Sequence, residues 1–316
     1  MYDYIVIGAG LFGCVMARRL KDLGKNVLIV ERRDHIGGNC YSYWQNGVDI
    51  HKYGLHIFHT EDKHLWGWMQ KWGEFERFNV INYSEYKGRL YNIPINKKTI
   101  QDMGSLRKAK RILIKKYSEK FWGMPLKDIP QSTIDRVPIR DNYYDGYYPP
   151  EHVYQGLPLY GWGNWFKKLT YGIDIDLNHT NKHYTAENYI YTGELDEFFD
   201  YRYGKLEWRG LTHVITYPKE VIGKAVIFHP EKYKPVRSYE FKHIHQATLN
   251  SKNIAMDEYC IGHRKYYPVY PDCEKAKAYR EFACKEKNVI FGGRLGTYRY
   301  LNMDQTVKEA LNVHIK

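Results

Sequence analysis

Residues 4–13 decide the fold of this 316-residue chain; they read Tyr-Ile-Val-Ile-Gly-Ala-Gly-Leu-Phe-Gly. Four residues with strand character lead directly into three glycines that are spaced as GxGxxG. Residues 14–23 then carry apolar side chains at helical spacing, and Gly24 gives a helix stop. Residues 25–31 form a second apolar run that ends in an acid. This order predicts a β-α-β unit in a doubly wound α/β domain.

Each glycine of the motif has a physical task. Gly8 permits a tight turn, Gly10 lets the backbone approach a pyrophosphate, and Gly13 lets the helix pack closely on the strand. The free N–H groups at the start of the helix then attract phosphate. Glu31 follows Gly13 at nearly the spacing expected for the acid that binds ribose hydroxyls. Together these features predict a Rossmann-type dinucleotide site.

The composition narrows the class of protein. A hydrophobic fraction of 43% and a charged fraction of 27% indicate a globular chain, and no apolar run is long enough for membrane insertion. Five cysteines without a CxxC pair argue against zinc or a disulfide framework, so we expect no metal and a cytoplasmic location. The net charge of +12 indicates an anionic partner, but no nucleic-acid-binding module is present.

The rest of the chain alternates between sheet and helix. The pattern predicts a hairpin over residues 83–96 that turns at Lys87 and Gly88, and a basic helix over residues 105–121. It predicts an extended loop over residues 128–162 and an antiparallel sheet within residues 205–272. Near the end it predicts a helix at 276–285, a strand at 288–291 and a helix at 305–313.

Longer motifs resemble a known flavoenzyme family. The acid, basic pair and Gly-Gly over residues 31–38 resemble the FAD proteins related to amine oxidases. The runs HKYGLHIFHT at residues 51–60 and FGGRLGTYRY at 291–300 resemble UDP-galactopyranose mutase, as do residues 199–207 and 266–268. The resemblance runs in family order along the whole chain. It implies a Rossmann-type FAD-binding domain with a small helical insert and an antiparallel β-sheet substrate domain.

The resemblance also implies domain boundaries. The FAD-binding domain would comprise residues 1–80, 186–204 and 285–316. A reduced insert with a mobile substrate loop would span 97–170, and the sheet domain 81–96 and 205–284.

Site residues follow from the same matches. Arg136 and Arg237 would grip the substrate diphosphate, and His59 would lie beside the flavin; these three form the predicted catalytic set. The predicted cofactor-binding residues are Gly8, Gly10, Leu11, Phe12, Gly13, Glu31, Arg32, Gly38, Asn39, His56, Arg294, Asn302 and Met303. The predicted substrate-binding residues are Tyr117, Trp122, Arg136, Tyr147, Arg237, Tyr267, Arg294 and Tyr300.

The implied activity is an isomerisation. UDP-galactopyranose and UDP-galactofuranose would be interconverted through attack of N5 of reduced FAD on the anomeric carbon, with no net redox change. Arg136 and Arg237 would stabilise the diphosphate as its charge grows. An amine oxidase-like oxidoreductase on the same FAD fold is one alternative, and a paralogue that binds FAD and a UDP-sugar with little turnover is another.

Several departures from the family pattern leave questions open. The segment between Pro94 and Tyr117 is some thirty residues shorter than in bacterial members, so the chain is predicted to be a monomer or a homodimer. Phe228 stands where an Asn near the sugar is usual, and Asn302 where an Asp is frequent. Four tyrosines compete for one family position, namely Tyr143, Tyr144, Tyr147 and Tyr148.

Overall fold

The computed structural model describes residues 2–137, 139–179, 184–262 and 265–315. The strands, in chain order, are β1 Tyr2–Ile7, β2 Val27–Glu31, β3 Ser42–Gln45, β4 Val48–His51, β5 Phe58–Thr60, β6 Phe75–Arg77, β7 Asn82–Tyr86, β8 Arg89–Ile93, β9 Tyr154–Pro158, β10 Asp174–Leu177, β11 Ala186–Tyr191, β12 Trp208–Gly210, β13 Thr212–Thr216, β14 Val226–Phe228, β15 Arg237–Glu240, β16 Ala255–Tyr259, β17 Lys265–Pro268 and β18 Val289–Phe291.

Helices connect and cover these strands. They are α1 Leu11–Asp22, α2 Lys63–Gln70, α3 Lys97–Met103, α4 Leu106–Ala109, α5 Tyr117–Trp122, α6 Gln131–Ile134, α7 Gly161–Leu169, α8 Leu195–Phe198, α9 Glu274–Ala283, α10 Gly293–Thr297 and α11 Met303–Asn312. A π-helical stretch, Lys110–Lys116, joins α4 to α5, and short 3-10 turns lie at Gly38–Cys40, Leu126–Asp128, Phe241–His243 and Gln246–Thr248.

A five-stranded parallel sheet carries the predicted β-α-β unit. Its strand order is β10-β2-β1-β11-β18. All five residues of β2 are buried, as expected for a strand of a parallel sheet that is covered on both faces. Helix α1 begins at Leu11, immediately after Gly10, so its free N–H groups lie at the carboxyl end of β1. The Rossmann-type prediction is confirmed.

A second, six-stranded sheet has the order β13-β16-β15-β14-β7-β8. Its neighbours are antiparallel except for β14 and β7, which pair in parallel. The predicted hairpin is present as β7 and β8, and it turns at Lys87 and Gly88, both with positive φ. The parallel pair arises because β14 follows β7 after a long excursion through the helical segment rather than through a turn.

The basic helix predicted over residues 105–121 is present as the run α4, π-helical stretch and α5. Its apolar side chains Ile112, Leu113 and Ile114 are buried together with Ile93 of the hairpin and Met103 of α3. The segment therefore has a small core of its own beside the edge strand β8.

The loop predicted over residues 128–162 is too long, because a strand and the start of a helix lie within it. Strand β9 forms a three-stranded sheet with β5 and β6, so the loop ends before it. Helix α7 buries Trp162, Trp165 and Phe166 in the core cluster that contains α1. These three large side chains recur at i, i+3 and i+4, but Gly161 before them and Gly163 among them weaken the helical signal.

Candidate active site

A cavity of about 530 Å³ opens at the glycine motif. Twelve of the thirteen predicted cofactor-binding residues line it: Gly8, Gly10, Leu11, Phe12, Gly13, Glu31, Arg32, Gly38, Asn39, His56, Arg294 and Met303. Asn302 does not line it. Residues that the sequence did not single out, including Arg33, Thr192 and Lys265, also face this space.

The glycines of the motif differ in what surrounds them. A Cβ at Gly10 would meet no atom within 4 Å, whereas a Cβ at Gly13 would lie 2.1 Å from the carbonyl oxygen of Gly8. Gly8 has φ +101°, and a Cβ there would collide with Thr192. Gly13 thus sets the distance between helix and strand, and Gly10 leaves room for a ligand.

The N-terminus of α1 is suited to bind an anion. Gly10 is the N-cap and provides no side-chain acceptor, and the first turn contains no acidic residue. The N–H groups of that turn are therefore available to a phosphate, which the helix dipole also favours.

Glu31 is fixed by the backbone. Its Oε2 accepts the N–H of Ala9 at 2.7 Å, and its Oε1 accepts the N–H of Arg33 at 2.9 Å. An ionised carboxylate has about four acceptor positions, so two remain for ribose hydroxyls. The cavity, the free helix start and this carboxylate together fit a dinucleotide such as FAD.

His56 lies on the wall of the cavity as a neutral imidazole. Its Nδ1 contacts the carbonyl oxygen of Gly54 at 2.7 Å, and its own carbonyl accepts the Trp162 indole N–H at 2.8 Å. Burial lowers the pKa of His56 to about 3. The Trp162 contact ties the His56 backbone to α7, the helix that the sequence did not predict.

Arginines and tyrosines meet beside the cavity. The rings of Tyr267 and Tyr300 stack with centres 5.0 Å apart. The guanidinium carbon of Arg136 lies 3.7 Å from the Tyr300 ring centre, and that of Arg294 lies 5.1 Å from both rings. Arg294 also lines the dinucleotide cavity. Arg294 therefore connects the predicted substrate-binding residues to the predicted cofactor-binding residues.

Arg237 is held by a buried carboxylate. Its Nε and Nη2 both contact Oε1 of Glu258, at 2.7 and 2.5 Å, and Oε2 accepts the Tyr239 hydroxyl at 2.9 Å. Burial opposes ionisation of Glu258, but Arg237 and His213 outweigh it and hold the pKa of Glu258 at about 2. Sequence reasoning missed Glu258, because it lies on the neighbouring strand β16 and no local motif links it to its partner.

His59 is placed within a second cluster that the sequence did not anticipate. Its ring stacks on Tyr148 at 3.6 Å, and its Nδ1 lies 2.7 Å from Nδ1 of His152. Burial, followed by the charges of His152 and Arg136, lowers the pKa of His59 to about 3. His59 is therefore neutral at physiological pH, and in the contact with His152 one ring nitrogen donates and the other accepts.

The four tyrosines that compete for one family position lie in different surroundings. Tyr143 is exposed and accepts a hydrogen bond from Gln101, and Tyr144 lies against Arg140. Tyr147 stacks on Phe228 at 6.3 Å, and Tyr148 packs edge-on against Tyr147. The predicted Tyr147 thus faces the site, and Tyr148 faces it as well.

An aromatic platform completes the site. Tyr117 packs edge-on against Phe228 at 5.1 Å and lies over Phe121 at 5.9 Å. Trp122 is buried, and its ring meets Tyr267 edge-on at 6.4 Å. The flat faces of these rings suit a nucleobase and the apolar side of a sugar.

Asn302 occupies a different place from the one predicted. Its Oδ1 accepts a hydrogen bond from Arg136 Nη2 at 2.7 Å, and it caps α11 in a reciprocal arrangement with Gln305. The residue thus orients a substrate arginine from the end of a helix, which explains why it stands outside the cofactor cavity.

Sequence comparisons agree with this geometry. Residues 112–300 match the sequence profile of UDP-galactopyranose mutase, and residues 6–72 match that of the NAD(P)-binding Rossmann-like domain. The chain is 32% identical to a "Probable UDP-galactopyranose mutase" of Klebsiella pneumoniae over 98% of this chain and 93% of that protein. The chain belongs to the UDP-galactopyranose mutase family. This confirms the prediction of an isomerase of that family with FAD as its cofactor.

Other members and structures extend the comparison. A dTDP-fucopyranose mutase of Escherichia coli is 30% identical over 98% of this chain and 97% of its own length. A crystal structure of reduced UDP-galactopyranose mutase superposes with a TM-score of 0.72 at 16% identity, and the match covers 98% of this chain and 92% of that one. The alignment with the Klebsiella mutase is 358 positions long, so this 316-residue member lacks segments that its relative has.

The oxidoreductase alternative has only local support. A flavin-containing amine oxidase A of Sus scrofa is 36% identical over 21% of this chain, and an FAD-dependent oxidoreductase of Emericella nidulans matches over 13%. Mutases match nearly the whole chain. In sequence, these two oxidoreductases therefore match only a short segment of this mutase-family member.

Proposed function

We propose that this member of the family interconverts UDP-galactopyranose and UDP-galactofuranose at the arginine–tyrosine cluster. The observation that carries the proposal is the position of Arg294. It lines the dinucleotide cavity and also lies 5.1 Å from the stacked rings of Tyr267 and Tyr300. A diphosphate bound at these rings would place its sugar next to a flavin in the cavity.

The residues of the cavity would hold FAD through the free helix start, Glu31 and the open space at Gly10. Reduced FAD, when bound, supplies the nucleophile for the anomeric carbon of the sugar. The neutral His56 adds no positive charge to the wall of the cavity.

Arginines would stabilise the departing nucleotide. As the bond between the anomeric carbon and the diphosphate breaks, negative charge grows on the phosphate oxygens, and guanidinium groups bind such oxygens in pairs. Glu258 holds the Arg237 guanidinium in the site, whereas Arg136 is exposed on the stretch after α6. Arg136 is therefore suited to close over the nucleotide and retain it until the ring has reclosed.

A second candidate substrate is dTDP-fucopyranose. It is favoured by the full-length similarity to the Escherichia coli mutase and by Phe228. Phe228 is buried between Tyr117 and Tyr147, with the guanidinium of Arg237 5.8 Å from its ring centre. An apolar ring at this position offers nothing to a sugar hydroxyl but packs well against the methyl group of a 6-deoxy sugar.

One assay tests both candidates. Dithionite-reduced protein is incubated with UDP-galactofuranose or dTDP-fucofuranose, and the products are separated by ion-exchange chromatography. We expect the pyranose form only with reduced protein, and the faster substrate identifies the sugar. Conversion of neither substrate by a protein that is yellow before dithionite reduction and bleached by it would contradict the proposal. The five cysteines, all free thiols in the structure, favour a reducing cytoplasmic compartment for this reaction.

A further inference from the structure

Positive charge is concentrated in residues 87–116. This segment has ten basic residues and a single acid, Asp102, so it carries nine of the twelve net charges of the chain. All ten basic side chains are exposed. We call them the basic face; they are Lys87, Arg89, Lys97, Lys98, Arg107, Lys108, Lys110, Arg111, Lys115 and Lys116.

The basic face is one continuous surface. Lys87 in the β7–β8 turn and Lys116 in the π-helical stretch lie 5.8 and 5.6 Å from the same ring centre, that of Tyr86. Helix α3 packs against both β8 and α4. The hairpin turn, α3 and the long helix therefore present their charges side by side.

These charges are largely uncompensated. Within the ranges that the structure describes, Lys98 is the one member of the basic face that pairs with a carboxylate, that of Asp102 at 3.7 Å. Like charges so close together repel each other, so an external anionic surface would stabilise the segment. A second copy of the chain would bring ten more cations to the same face and is disfavoured.

The chemistry of the face favours lipid headgroups over nucleic acid. Seven of the ten residues are lysines, which act as hydrated point charges, whereas arginine forks are typical of specific phosphate recognition. The nearby rings of Tyr86 and Tyr91 pack against the segment's own core instead of offering free faces for base stacking.

A contact between the basic face and a lipid bilayer would be peripheral. Ile112, Leu113 and Ile114 are buried in the segment's own core, so the helix has no apolar face left to insert into a bilayer. No helix in the described part of the chain is long and apolar enough to cross a membrane. We propose that the basic face holds this protein electrostatically on the surface of an anionic lipid bilayer.

Vesicle co-sedimentation of the full chain tests the proposal. Vesicles that mix phosphatidylcholine and phosphatidylglycerol at roughly seven to three are compared with pure phosphatidylcholine at rising salt. We expect binding to the anionic vesicles alone, and its loss near 0.5 M salt, because screening then acts within a few ångström. The triple variant Lys108→Glu, Arg111→Glu, Lys115→Glu should bind at least about a hundredfold more weakly.

A matched variant separates the face from the total charge. Lys71→Glu, Lys285→Glu and Lys287→Glu change the net charge equally at exposed positions outside the segment, and binding should stay within about threefold of the original. Equal loss of vesicle binding in both triple variants would overturn the proposal. Binding of the original protein to neutral vesicles as tightly as to anionic ones would overturn it as well. Preference for a short DNA duplex over vesicles in direct competition would overturn it too. If the Glu variant does not fold, a variant with glutamine at the same three positions of the basic face replaces it in the binding assay.

Discussion

The guanidinium carbon of Arg136 lies over the Tyr300 ring, 3.7 Å from its centre, while its Nη2 donates to Asn302. The ring and the amide orient a side chain that is otherwise exposed, and neither of them neutralises its charge. Arg136 is thus a preoriented cation beside the dinucleotide cavity, free to receive a phosphate.

Removal of the Arg136 guanidinium should lower turnover without changing flavin binding. For Arg136→Ala we expect kcat/KM to fall by about a hundredfold to a thousandfold, since a donor aimed at developing charge is removed. Arg136 does not line the cavity, so the flavin content should be unchanged in an absorbance spectrum. Lys127→Ala, at an exposed position in the turn before α6, is the control and should behave as the original protein. Near-normal turnover of Arg136→Ala would remove this residue from the site.

The dinucleotide half of the site could be predicted from the sequence because its signals are local. The glycine spacing, the β-branched run and Glu31 all lie close to the start of the chain, and turn geometry ties each residue type to its position. Nine of the predicted cofactor residues lie between Gly8 and Asn39, and all nine line one cavity; His56, Arg294 and Met303 line it as well, but they were predicted from the resemblance to the family.

The rest of the site depends on contacts between distant parts of the chain. His59 meets His152, and Arg136 meets Asn302, although long stretches of sequence separate the members of each pair. No local sequence pattern links the two members of either pair. Helix α7 was missed for a different reason: its stabilisation comes from burying tryptophans in a distant core, which overrides the low helix propensity of its glycines.

Two glycines of the motif should respond to alanine in opposite ways. Gly10→Ala adds a methyl group into open space, so the flavin-free protein should keep its stability but lose flavin affinity. Gly13→Ala would press a methyl group to 2.1 Å from the Gly8 carbonyl oxygen, and the fold should lose about 2 kcal/mol or more. Thermal unfolding of the flavin-free proteins and the flavin-to-protein ratio measure the two effects. Equal loss of stability in both variants would contradict this division of roles.

Phe228 should control the choice of sugar. In Phe228→Asn a side-chain amide replaces an apolar ring, so a substrate with a 6-hydroxyl should gain relative to a 6-deoxy one. We expect the ratio of kcat/KM for UDP-galactofuranose over dTDP-fucofuranose to rise at least about tenfold. Phe228→Leu is the matched control, since it removes the ring without adding a hydrogen-bonding group. If Leu shifts the ratio as much as Asn does, ring size and not polarity sets the preference.

His59 should make folding sensitive to mild acid. Its pKa is about 3 in the folded chain because the ring is buried, against 6.5 for a free histidine. Between these two values the unfolded chain binds a proton that the folded chain does not. The stabilisation is therefore complete above pH 6.5 and is lost as the pH falls toward 3, with a slope of up to about 1.4 kcal/mol per pH unit.

Urea unfolding of the flavin-free protein at pH 7, 6, 5 and 4 measures this slope. His59→Gln keeps a polar side chain beside His152 but cannot titrate, so its unfolding free energy should fall less steeply, by about 1.4 kcal/mol per pH unit between pH 6 and 4. His64→Gln makes the same chemical change at an exposed position of α2 and should leave the original slope intact. Parallel curves for the original protein and His59→Gln would mean that the ring is protonated in the folded state. The 2.7 Å contact between His59 and His152 would then need His59 as the donor, since the Nδ1 of a protonated imidazole has no lone pair to accept a hydrogen bond.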